Sequence, residues 1–322
     1  MLISNRVSGP ILRQGRRDCA GEPGRWQRAS RSRDALFFSA PEICLQAADF
    51  LPARPPQPVQ IDLNADVGEA STPLDELVEL ALTRTVTSVN IACGGHAGDL
   101  GTMRRMVAVA RGRNLRIGAH PGYPDRQHQG RVPLSLPEPE VYQLISEQIE
   151  ALADVARAAG AQLTHVKPHG ALYNQAAGDR RLADVVAAAV RDVNPALQLI
   201  GPCGSKLLDA GTAVGLAVLP EAFVDRLYRP DASLVPRSEP GAVITDPETA
   251  AARAVQLVVA GTLPADDEQT VLQLRPGTLC IHADTPAAVG IARQVRAALV
   301  QHGVEIALGT ERRAEAGRRA RS

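Results

Sequence analysis

Gln162-Leu-Thr-His165-Val-Lys167-Pro-His169-Gly170 decides how this chain is read. A short apolar run breaks into a lysine set between histidines, then into Pro-X-Gly. Only two of the 35 basic residues are lysine, Lys167 and Lys206; the rest are arginine. A lysine is a compact point charge that can shed its proton when desolvated, which arginine cannot do. Pro168 bars a regular helix through the segment. On an extended segment the i, i+2 spacing of Lys167 and His169 turns both side chains to one side.

The same grammar recurs on either side. Val59–Leu63 runs into Asn64-Ala-Asp66-Val-Gly68-Glu69, Thr87–Ile91 into Cys93-Gly-Gly-His96, and Leu115–Ala119 into His120-Pro-Gly-Tyr-Pro-Asp125. Leu197–Ile200, Gly215–Leu219 and Thr278–Ile281 end in similar clusters. Short apolar runs bounded by turn residues fit fully buried strands. Between them Pro73–Leu82, Leu100–Arg111, Pro139–Ala159, Leu182–Val190, Lys206–Ala213, Pro247–Ala260 and Pro286–Val300 carry helical spacing. Strand–helix alternation predicts an α/β fold with parallel strands. Seven or eight such units in about 250 residues predict a (β/α) barrel, whose reactive groups sit where strands end and βα loops begin. A doubly wound open sheet is the competing architecture. It would gather its polar residues at one switch point, whereas here every unit carries some.

The chain has 322 residues, 45% of them hydrophobic, and a formal net charge of zero. Residues 1–58 hold nine arginines, no lysine and a proline-rich end, and read as a disordered extension. An Arg-rich leader suits a transit peptide, and an over-extended reading frame explains it equally well. Residues 311–322 read as a disordered basic tail. The core, 59–310, keeps 21 basic and 28 acidic residues, a net −7. That excludes the basic face wanted for nucleic acid or an anionic membrane. Five scattered cysteines without a CxxC pair point to a reducing compartment, hence a cytoplasmic protein. Cys93, beside His96, is conceivable as a nucleophile, and a small buried filler is the plainer role.

Asp66 and Glu69 close the first run, where a carboxylate can orient water or bind a metal. His96 and His120 end successive runs, so a barrel aims both at its axis. Arg131, Arg226 and Arg237 are candidates to fork onto a carboxylate or phosphoryl group. No G-x-x-x-x-G-K-[ST] stretch occurs, since Gly201–Lys206 is too short.

Five ordered blocks resemble the LamB/YcsF family over about residues 59–307. They are Asp62–Glu69, Ser88–Asp99, Gly118–Arg126, His165–Asn174, and Glu221–Tyr228 continuing to Leu234–Arg237. The resemblance implies a seven-stranded β/α barrel related to the polysaccharide-deacetylase type. It also implies ATP-dependent opening of the lactam 5-oxoproline to L-glutamate with two partner subunits, B and C. Asp66, His96, His120, Lys167 and His169 are then the expected catalytic residues. Lys167 would polarise the lactam carbonyl, or a phosphorylated form of it, from a pocket-facing position, with His169 transferring protons. Asn64, Glu69, Asn90, Asp125, Arg131, Asn174, Glu221, Asp225, Arg226 and Arg237 would bind substrate. The sequence departs from the family's pattern at Gln129, Leu227 and Ala232, where an aromatic, a small residue and a glycine are usual, and the linker after Glu69 is short. Two other functions fit the same residues. One is a stand-alone metal-dependent amide hydrolase with Asp66, His96 and His120 around a divalent ion. The other is a non-catalytic subunit that presents a ligand to a partner.

Overall fold

The structure, a computed structural model, describes residues 59–307. The expected extension 1–58 and the tail 311–322 lie outside the described residues. In chain order the elements are β1 (Gln60–Val67), α1 (Pro73–Leu82), β2 (Ser88–Ala92), α2 (Leu100–Gly112), β3 (Arg116–His120), α3 (Glu138–Ala158), β4 (Leu163–Val166), α4 (Gly170–Gly178), α5 (Arg180–Val193), β5 (Gln198–Pro202), α6 (Lys206–Ala213), β6 (Ala217–Phe223), α7 (Pro247–Val255), β7 (Thr262–Pro264), β8 (Val271–Gln273), β9 (Thr278–Cys280), α8 (Ala288–Gln301) and β10 (Glu305–Ile306). A π-helical turn, Gln256–Ala260, prolongs α7 and ends at Gly261 in the left-handed region.

β1 to β6 pair in sequence, all parallel, and β9 pairs with both β6 and β1. The sheet therefore closes as a seven-stranded parallel barrel. β10 adds two residues in parallel to the start of β1, and β7 and β8 form a separate antiparallel hairpin. No helix among the described residues is long and apolar enough to cross a membrane.

All seven predicted strand runs lie in the barrel wall, but β1 outruns its apolar segment by four residues and β6 reaches Phe223. The alternation on β1 explains this. Ile61, Leu63, Ala65 and Val67 are buried in the apolar layer under the helices. Asp62, Asn64 and Asp66 are buried on the other face, inside the barrel. Each apolar side chain so buried contributes roughly 1.5–3 kcal/mol. Each inward polar group needs a partner to avoid a penalty of similar size. Asp62 accepts hydrogen bonds from Thr87 (2.8 Å), Ser88 (2.7 Å) and Thr278 (2.7 Å) near the barrel's N-terminal end. Asn64, one layer up, donates to Glu221 (2.8 Å) and accepts from Asn90 (2.8 Å).

α4 was not anticipated. Lys167–His169 is extended, as the proline predicts, but a helix begins at once at Gly170, with His169 as its extended cap residue (φ −99°).

Candidate active site

Lys167 leaves the end of β4 and stops in the barrel interior, 3% exposed. Its Nζ lies 3.0 Å from Asp66 Oδ1, 3.1 Å from Glu221 Oε1, 3.1 Å from Cys280 Sγ and 3.4 Å from Asn64 Oδ1. Burial alone would depress its pKa, but Asp66, Cys280 and Glu221 override this and hold it well above the usual lysine value. A lysine that sheds its proton is therefore not what the strand end builds. The pocket-facing head group expected from sequence is instead a buried cation with acceptors for every proton. Burial would also keep Asp66 protonated; His120 and Lys167 oppose it and hold that carboxyl well below its ordinary range. Asn90 donates to Asp66 at 2.7 Å and, through Oδ1, meets His165 Nε2 at 2.8 Å. Burial and the nearby Arg116 and Lys167 keep His165 neutral. Its ring fills the space that a Cβ on Gly118 would need, 2.0 Å from Nε2.

Above this layer Glu69, His96, His120 and His169 bring their ligating atoms within 4.8 Å of one another. Glu69 Oε1 lies 2.8 Å from His96 Nε2, 3.0 Å from His169 Nδ1 and 3.5 Å from His120 Nε2. The outer nitrogens decide the tautomers. His120 Nδ1 donates to the Lys167 carbonyl (2.6 Å) and His169 Nε2 to the Gln129 carbonyl (2.8 Å). The two inner nitrogens, 2.9 Å apart, therefore need a proton or a cation between them. Burial would depress His169; Glu69 and Asp66 outweigh it and raise its pKa. Both effects favour a proton on His169 Nδ1, with His120 Nε2 and Glu69 Oε1 within reach to receive it. His96, stacked on His169 with centroids 3.6 Å apart, is pushed down to about 4 by burial and is neutral.

The cluster can be tested against a metal. Metal-ligating histidines as a rule anchor the outer N–H on a carbonyl or carboxylate. His120 and His169 do; His96 does not, since its Nδ1 is buried without a partner. The set expected from sequence, Asp66 with His96 and His120, is corrected. The three histidines converge on Glu69, while Asp66, 3.4 Å from His120 Nε2, is bound by Lys167 and Asn90 and groups with Cys280 and His282 as a ligand set.

Three loops form the mouth. The loop after β3 is pinned to the start of α4, because Ala171 donates to the Gly130 carbonyl at 2.9 Å. Asp125 braces it by accepting from the His128 backbone and ring at 3.2 and 2.9 Å. Arg131 and Arg237 both reach Asp284, at 2.6 and 3.2 Å. Arg226 is buried, donates to the Val235 carbonyl (2.6 Å) and has an unpartnered Nε. Asp225 is buried and accepts from His282 Nδ1 (3.0 Å) and Thr285 (2.7 Å), so it braces the loop after β9. Asn174 is not brought to the site: it is exposed on α4. Cys93 is a filler, its Sγ 3.0 Å from the Ile91 carbonyl and its pKa pushed by burial to about 12. Gln129 and Ala232 both adopt left-handed backbone, φ +53° and +65°, which a glycine at 232 would take without strain.

Some contributors carry no strand-end signal. Glu79 on α1 accepts from the backbone N–H groups of Gly68 and Glu69, both at 2.8 Å, and so fixes where Glu69 starts. Gln148 on α3 clasps the Gly122 peptide from both sides, donating to its carbonyl at 2.8 Å and accepting from its N–H at 3.1 Å. Tyr173 donates to Glu221 at 2.6 Å, and Phe223 stacks on His282. The available signal for Glu79 and Gln148 was a polar residue at a core-facing helical position.

Known proteins resemble this arrangement. Proteins named as the A subunit of 5-oxoprolinase are 48% identical in Methylococcus capsulatus, over 77% of this chain and 95% of that protein, and 46% identical in Heliobacterium modesticaldum, over 79% and 100%. The crystal structure of a lactam utilization protein from Thermus thermophilus superposes with a TM-score of 0.70 at 41% identity, covering 77% of this chain and 98% of that one. The LamB/YcsF family profile matches residues 61–314, and the chain belongs to the LamB/YcsF family.

Proposed function

We propose that this barrel is the A subunit of a 5-oxoprolinase, opening the lactam of 5-oxoproline to L-glutamate with ATP and two partner subunits, B and C. The observation that carries this is the chain of contacts from Asp66 Oδ2 to His120 Nε2 (3.4 Å), on to His169 Nδ1 (2.9 Å) and to Glu69 Oε1 (3.0 Å), in which the carboxyl's pKa is held down and that of His169 is held up. Hydrolysis of an amide requires a base for water and an acid for the leaving nitrogen. Asp66, charged and 7% exposed, takes the proton of water. The oxygen attacks the ring carbonyl carbon, the C–N bond breaks, and His169 Nδ1 delivers its proton to the departing nitrogen. Lys167 acts through Asp66, holding it ionised and in place. Arg131 and Arg237 take the substrate's carboxylate. The chain carries no Walker-type cradle, and Lys167 is committed to carboxylates. We therefore assign ATP handling to the partner subunits.

Glutamate release from 5-oxoproline, measured with and without ATP and with and without the partner subunits, tests the proposal. Release requiring all of them is expected; none under any combination would sink it. A second reading, metal-assisted hydrolysis by the chain alone, is favoured by the carbonyl-anchored His120 and His169 facing Glu69. Those residues would hold the ion, which would supply an activated water. Stoichiometric zinc or manganese in the purified protein, with ATP-independent release, would establish it in place of the first.

A further inference from the structure

The ion pairs at the mouth have a geometry that their strength does not explain. Around the closed sheet β3 and β9 are separated by β2 and β1 on one side and by β4, β5 and β6 on the other. They stand nearly opposite each other. Arg131, from the loop after β3, nevertheless meets Asp284, from the loop after β9, at 2.6 Å. Arg237, from the loop after β6, meets the same carboxylate. Asp284 gives one oxygen to each arginine: Oδ2 to Arg131 and Oδ1 to Arg237. Two cations sharing the two oxygens of one carboxylate across a pocket mouth is how a small carboxylate ligand would be held. The three side chains are 38%, 25% and 40% exposed in the order Arg131, Arg237, Asp284, so the pairs are weak and easily exchanged. Arg226 adds a third, buried guanidinium whose Nε has no partner, close enough for both Arg237 and Asp284 to act on its charge.

We infer that Asp284 is an internal stand-in for the substrate's carboxylate: it bridges Arg131 and Arg237 and is displaced when an anionic lactam enters. This rests on the reading of those arginines as the carboxylate site. Like charge is exchanged for like charge, so the arginines keep one carboxylate partner throughout. A neutral lactam has no carboxylate to exchange and leaves the bridge in place, so Asp284 weakens the binding of the anion alone. The cost is affinity, because the ligand must compete with a tethered carboxylate.

Calorimetric titration of the purified full chain tests this, using 5-oxoproline and, as a neutral control, 2-pyrrolidinone. Asp284→Asn and Asp284→Ala should both bind 5-oxoproline about tenfold more tightly than wild type, the size of two opened surface pairs. Their affinity for 2-pyrrolidinone should not change. Unchanged or weaker 5-oxoproline binding in both variants overturns the inference, as does equal tightening toward 2-pyrrolidinone or no binding by wild type and variants alike. Arg237→Gln separates the two layers. If it leaves 5-oxoproline affinity unaltered, the arginine site itself is wrong. If it weakens binding while the Asp284 variants fail to tighten it, only the stand-in role falls.

Discussion

Replacing Lys167 by methionine keeps most of the side chain's volume and removes its charge. The ammonium is 3% exposed and lies within 3.0–3.1 Å of Asp66, Glu221 and Cys280. Its loss leaves Asp66 and Glu221 facing each other in the barrel with no cation between them. Removing one partner of a buried pair costs about 3–5 kcal/mol, because the remaining charge is stranded. For a domain of this size, at 2–4 °C per kcal/mol, that is a fall in Tm of roughly 6–20 °C. Asp66→Asn in the same chain removes one stranded carboxylate and should recover part of the loss, so the double variant melts above Lys167→Met alone. Thermal denaturation of the four proteins in the cycle supplies the coupling energy. A Tm within about 2 °C of wild type for Lys167→Met would refute the idea that the lysine is the cation on which the barrel interior depends. It would restore the pocket-facing role expected from sequence.

Two further predictions concern the groups around that centre. Gly118→Ala places a Cβ 2.0 Å from His165 Nε2, in a ring hydrogen-bonded at both nitrogens. Overpacking of this kind costs about 1–3 kcal/mol or more, so Tm should fall by several degrees, and an unchanged melting curve would show that the ring moves freely. Asp225 is buried, which would raise its pKa, yet His282, Thr285 and Arg237 hold it down at about 2. A carboxyl depressed in the folded state stabilises above its unfolded pKa, near 3.9, and that contribution is lost as pH falls toward 2. It amounts to about 2–3 kcal/mol. Wild-type stability should therefore drop between pH 4 and 2, and Asp225→Asn should flatten that limb; identical acid limbs would remove Asp225 from the account.

The barrel was legible because strands buried under helices must be apolar on their outer face, and each ends where polar loops begin. The ends of β1 and β6 were harder to see. Their inward residues are polar, so Asn64, Asp66 and Glu221 look like loop when read by hydropathy although they lie on strands. α4 was hidden because a proline that bars a helix says nothing of the residue two places on. In the site, Asp66, His96, His120, Lys167 and His169 do converge. What sequence could not give was how they pair. Glu69 takes the histidines because Glu79 fixes its backbone, and Lys167 is consumed by Asp66 and Glu221, strands away in the chain. Asn174 shares a motif with His169, yet faces solvent because a helix turns it outward.

The central claim is that Asp66 and His169 perform the two proton transfers of lactam opening. The direct measurement is the rate of glutamate formation from 5-oxoproline by the assembled enzyme, comparing wild type with Asp66→Asn and His169→Asn at matched, verified folding. Each substitution should cut the rate by about 10²-fold or more, the range for a positioned acid–base group. Rates within threefold of wild type for both variants would contradict the account.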